Sequence, residues 1–131
     1  MRFIHIADVH LGARPDAGSA YAPLRAREIW ESLEKIIDLC NAQEVELLLI
    51  AGDLFHRQPL LRELKEVNGL FARLVKTQVV FCAGNHDYLK KDSYYRTFSW
   101  EKHVHMMLNR ELETVELPEI GTVVYGFSYE S

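Results

Sequence analysis

The chain has 131 residues, 48% hydrophobic and 26% charged, with a formal net charge of −4. These proportions describe one globular domain and exclude a disordered chain, and the acidic balance gives no whole-chain basic signature of nucleic-acid binding. Arg2, His5, Asp8 and His10 exclude a signal-peptide apolar region at the start, and no apolar run approaches the roughly 18 residues of a membrane span.

In chain order, residues 2–7 predict a buried strand, because Phe3, Ile4, Ile6 and Ala7 suit a covered pleat. His5 is expected to be a core residue within it. The strand stops at Asp8-Val9-His10, polar groups that cost free energy there unless something needs them. Residues 12–23 read as a loop, punctuated by Gly12, Pro15, Gly18, Ser19 and Pro23. A helix follows from about Leu24 to Ala42, since Ile29, Leu33, Ile36, Ile37 and Cys40 recur on one helical face. The run Leu47 to Ala51 has no polar alternation, as in a strand covered on both faces, and Gly52-Asp53 closes it. A second helix is predicted over Leu61 to Lys76, with Leu64, Val67, Phe71, Leu74 and Val75 as its apolar stripe. "QVVFCAGNHD" then repeats the pattern of apolar strand, glycine and polar cluster.

Beyond Tyr88 the pattern changes. The run Lys90, Lys91, Tyr94, Tyr95, Arg96 reads as a solvated loop, with a nucleic-acid surface as the functional alternative. Val104 to Leu108 reads as a short strand, and His103 and His105, before and within it, are expected to have strand or surface roles. Residues 113–128 form a β-hairpin turning at Pro118 to Gly121. Cys40 and Cys82 lack a CxxC spacing and fall in apolar segments, so buried thiols in a reducing cytoplasm are expected.

The order β-α-β-α-β up to Tyr88 predicts an α/β fold, a parallel sheet with helices on its faces. Parallel strands bring Asp8-His10, Asp53 and Asn85-His86-Asp87 to one edge, outside the carboxyl ends where ligands bind in such sheets. Carboxylates, an amide and imidazole form a mixed donor set, suited to Mn, Fe or Zn rather than calcium. Asp53 has two oxygens and can bridge two ions, the recurrent device for in-line displacement at phosphorus.

D-x-H, then G-D, then G-N-H-D, each after an apolar strand, resembles the calcineurin-like metallophosphoesterases. Within them, "FIHIADVHLG" and "GDLFHRQ" look like the SbcD-type DNA repair exonucleases, partners of an SMC-like ATPase. Related protein phosphatases usually continue their G-D into V-D-R-G, whereas Leu54-Phe55-His56 follows here. The resemblance implies two divalent ions, manganese foremost. Asp8 and His10 would hold the first, Asp53 would bridge both, and Asn85 would hold the second. His86 would stay off the metal and protonate the leaving oxygen, while His56 would position a DNA strand. Asp87 is expected to orient the His86 ring. A phosphatase or phosphodiesterase for small esters, or a non-catalytic assembly module, are the alternatives.

The family completes its site with three more histidines, the last two in a G-H-x-H motif, and this sequence supplies none of them. "HVH" at His103 to His105 lacks the glycine and comes too early. The chain is accordingly read as the amino-terminal part of a nuclease domain, residues 1–131, expected to hold one weak ion at most and to have very low activity. It is further expected to form a homodimer, through the 113–128 hairpin.

Overall fold

Apolar runs without polar alternation occupy the middle of the sheet. In the computed structural model, which describes residues 1–131, β2 (Leu47–Ala51) and β3 (Gln78–Cys82) lie between β1 (Phe3–Ile6) and β4 (Val104–Met106), all parallel. The register runs Ile4, Leu48, Val79, Val104 across one face and His5, Leu49, Val80, His105 across the other. Each sequential strand is added on the same side of the last, and right-handed crossovers then carry both helices to one face.

That face holds the main core. Leu33, Ile37 and Cys40 of α1 (Ala22–Ala42) and Leu64, Val67 and Phe71 of α2 (Leu61–Ala72) pack with Leu48, Ile50, Val79 and Phe81. The opposite face is covered in part by the antiparallel hairpin of β5 (Glu113–Leu117) and β6 (Thr122–Gly126), whose Leu117 packs with Leu47, Val80 and Met107. Its turn is a 3₁₀ segment, Pro118–Ile120, closed by Gly121 at φ +59°.

Three expectations change. β1 is an edge strand that the hairpin core does not cover, so Phe3 is 57% exposed and His5 lies at the surface rather than in the core. α2 stops at Ala72 and Val75 is 89% exposed. Asn41 of α1 ends it, donating from Nδ2 to the Arg73 carbonyl (2.9 Å) and accepting the Val75 N–H (3.0 Å). The run from Lys90 to Arg96 is not uniformly solvated either, because Tyr95 is 1% exposed.

Cys40 is buried and Cys82 half-buried, and both are free thiols. Burial pushes both thiols up, so the thiolate is disfavoured. No helix is long and apolar enough to cross a membrane.

Candidate metal centre

β-type pairing continues past the ends of β1 and β2. The Asp8 N–H donates to the Gly52 carbonyl (3.2 Å), the His10 N–H to the Asp53 carbonyl (3.0 Å) and the Leu11 N–H to the Leu54 carbonyl (2.8 Å). His56 N–H returns to the Leu11 carbonyl at 2.9 Å. Leu11, Leu54 and Phe55 are fully buried, so the two segments are anchored from below while Asp8, His10 and His56 face outward. Asp8, His10 and Asp53 have φ of 55°, 56° and 54°, the left-handed region, which costs a non-glycine residue of order 1 kcal/mol. Asp and His are among the residues that enter it most readily, and the buried ladder beneath them holds them there.

Two glycines let the third strand end close in. A Cβ on Gly84 would stand 2.6 Å from the Asp53 backbone nitrogen, and a Cβ on Gly52 would meet Gly84 Cα at 3.2 Å. The loop after β3 therefore lies directly against Asp53. The His86 N–H donates to Asp53 Oδ1 at 2.9 Å.

The resulting site has two donor groups that share His10. Ligand atoms of Asp8, His10 and Asp53 lie within 4.8 Å of one another, and so do those of His10, His56 and His86. Asp53 is 7% exposed, whereas His56 and His86 are exposed and His10 half-buried. His86 Nδ1 stands 3.1 Å from the His56 carbonyl. A carbonyl only accepts, so Nδ1 carries the proton and Nε2 is left free. His10 Nδ1 and His56 Nδ1 are 3.2 Å apart. Asn85 is exposed in the same loop, between Gly84 and His86.

Asp87 does not orient the His86 ring. It is fully buried behind the loop, where Oδ1 accepts the Gly84 N–H (2.8 Å) and Oδ2 accepts the Phe55 N–H (3.1 Å) and the Tyr95 hydroxyl (2.7 Å). Desolvation pushes its carboxyl up, against the three hydrogen bonds that pull it down. One carboxylate thus ties the loop after β2 to the loop after β3.

Two residues of the site's support are silent in the sequence pattern. Tyr95 closes the Asp87 cluster from a 3₁₀ turn, and burial raises its hydroxyl well above the ordinary phenol value. Ser128 is 1% exposed, accepts the Ala83 N–H at 2.9 Å and donates to the Met107 carbonyl at 2.5 Å. The position of Ala83, one residue before Gly84, thereby depends on the far end of the hairpin. His103 and His105 stay outside the site, with Nε2 on the Phe71 carbonyl (2.8 Å) and on Gln78 Oε1 (3.0 Å).

A family model, the calcineurin-like phosphoesterases, matches residues 1–129. The uncharacterized metallophosphoesterase YhaO of Bacillus subtilis (strain 168) is 31% identical over all of this chain and 34% of its own length. The DNA double-strand break repair protein Mre11 of Archaeoglobus fulgidus is 37% identical over 70% of this chain and 20% of its own length. Its counterpart in Methanopyrus kandleri is 36% identical over 66% and 19%. The chain thus spans about a third of one such relative and about a fifth of the others.

Proposed function

We propose, on the premise that this chain belongs to the calcineurin-like phosphoesterase family, that it carries metal-binding residues of a two-metal nuclease acting on DNA phosphodiester bonds. The observation that carries the reading is the meeting of Asp8, His10 and Asp53 at the ends of two parallel strands, with the His86 N–H on Asp53 Oδ1. The donors fit the group: carboxylates with one imidazole suit manganese or iron. Asp8 and His10 would hold one ion and Asn85 the second, with Asp53 a ligand to both.

Two such ions supply activation of the attacking water and neutralisation of charge on the phosphoryl oxygens. The chain's own residues do the rest. The His86 N–H keeps Asp53 in one orientation, and the His56 carbonyl keeps the His86 Nδ1 proton in place. With Nδ1–H held there, a second proton taken up at Nε2 makes the ring an imidazolium, and Nε2 then passes that proton to the leaving oxygen. His56 faces outward beside it, where it orients His10 through Nδ1 and borders the path of a bound strand.

Support for DNA over small esters comes from His56 following Asp53 and from the repair proteins among the relatives. The same reading supplies an SMC-like ATPase as partner and a cytoplasmic location. It also includes self-association through the hairpin, whose Val123, Tyr125 and Phe127 are 46%, 66% and 57% exposed; light scattering that returns a monomer would remove that part.

The deciding experiment is manganese-dependent degradation of end-labelled DNA beside hydrolysis of a small phosphomonoester, by a full-length nuclease that carries this segment, in wild type and Asp53→Ala. DNA cleavage that disappears in the variant supports the proposal. Cleavage that survives Asp53→Ala refutes the site, and monoester hydrolysis with intact DNA moves the substrate to small esters.

A further inference from the structure

The group of His10, His56 and His86 contains no carboxylate, yet its ligand atoms too all lie within 4.8 Å of one another. Its ring centroids are 4.9 to 5.2 Å apart; His56 and His86 are stacked, and His10 stands at 71° and 88° to them. Two nitrogens bound tetrahedrally to one zinc ion, at about 2.0–2.1 Å each, are separated by roughly 3.3–3.4 Å. His10 Nδ1 and His56 Nδ1 are 3.2 Å apart. His86 already donates its Nδ1 proton to a backbone carbonyl, the arrangement that fixes a metal-binding imidazole with Nε2 free.

We propose that His10, His56 and His86 form a second cation site, taking a borderline ion such as zinc and excluding an ion from the carboxylate site by sharing His10. Three neutral imidazoles suit zinc, copper and nickel, and they offer little to manganese or magnesium, which favour carboxylate oxygen. A neutral imidazole has one nitrogen lone pair, so His10 serves one ion at a time. In the metal-free state one of the two facing Nδ1 atoms carries a proton, and the entering ion switches that ring to its Nε2–H tautomer. Zinc here would also occupy His86 Nε2, the proton donor of the proposed reaction. The inhibitory consequence rests on the nuclease reading; the zinc site itself does not.

The test is calorimetric titration of the metal-free 131-residue chain with zinc chloride, comparing wild type, His56→Ala, Asp8→Ala and Asp53→Ala. His56 is exposed, and matching circular dichroism and melting curves establish that its variant is folded. The expected result is one zinc ion per chain. Its affinity should fall about tenfold or more in His56→Ala and stay within about threefold in the two aspartate variants. Equal zinc affinity in wild type and His56→Ala would overturn the proposal, as would a larger loss in Asp8→Ala than in His56→Ala. Failure of the nuclease reading would show separately, as manganese-dependent cleavage that survives Asp53→Ala.

Discussion

Gly84 lies against the backbone of Asp53, so closely that a Cβ at position 84 would stand 2.6 Å from the Asp53 nitrogen. The obstacles are the Asp53 carboxylate and its main-chain nitrogen, and the main chain, paired with residues 8–11, cannot step aside cheaply. Gly84→Ala should therefore destabilise the protein by about 1–3 kcal/mol, the usual cost of overpacking. It should also weaken manganese binding, because Asp53 is the group displaced. Thermal melting with manganese calorimetry checks both; wild-type values for the pair would mean that the two strand ends tolerate separation.

His86 binds Asp53 through its backbone N–H and the His56 carbonyl through its ring, so its imidazole is not needed to place the carboxylates. His86→Ala should leave manganese affinity near wild type while the hydrolytic rate falls by roughly 10²–10⁴-fold. Kinetics set beside metal titration separates the roles. Loss of manganese in the variant would make His86 a ligand of the catalytic ions.

Tyr95 donates to Asp87 inside the protein at 2.7 Å, with neither residue more than 1% exposed. Tyr95→Phe leaves the buried Asp87 carboxylate with one donor fewer and should cost about 1.5–3 kcal/mol, the range for hydrogen bonds to charged groups. Because Asp87 ties Gly84 to Phe55, the loops carrying His56 and Asn85 should exchange their amide hydrogens faster in the variant. Denaturant unfolding and hydrogen exchange measure the two effects; an unchanged midpoint would show that the cluster adds nothing to stability.

His105 lies below its ordinary value of 6.5, first because burial disfavours the imidazolium and then because His103 repels it, with Glu119 acting the other way. The unfolded chain takes up this proton near 6.5, and the folded chain only at lower pH. Between the two the unfolded state binds more protons, so stability drops as pH falls through that window. His105→Gln removes the loss. Denaturant midpoints from about pH 7.5 down to about pH 5 should therefore fall less in the variant than in wild type, and parallel curves would contradict the assignment.

Local pattern was enough for the strands β2 and β3, the buried face of α1, that of α2 apart from Val75, and the shared edge at which Asp8, His10, Asp53 and His86 meet. Those follow from local periodicity and from the rule that parallel strands end together, which one chain's pattern contains. Tertiary structure decided what depends on neighbours distant in sequence. His5 and Phe3 are exposed because β1 has β2 on one side only and neither residue joins the small core under the hairpin. α2 ends early because Asn41, 32 residues before Arg73, caps it. Asp87 turns inward, away from His86, because Tyr95 and two backbone N–H groups satisfy it there, and a buried carboxylate goes where its donors are. The same holds for His56: its place after Asp53 was legible, but its approach to His10 required the ladder that pairs residues 8–11 with residues 52–56.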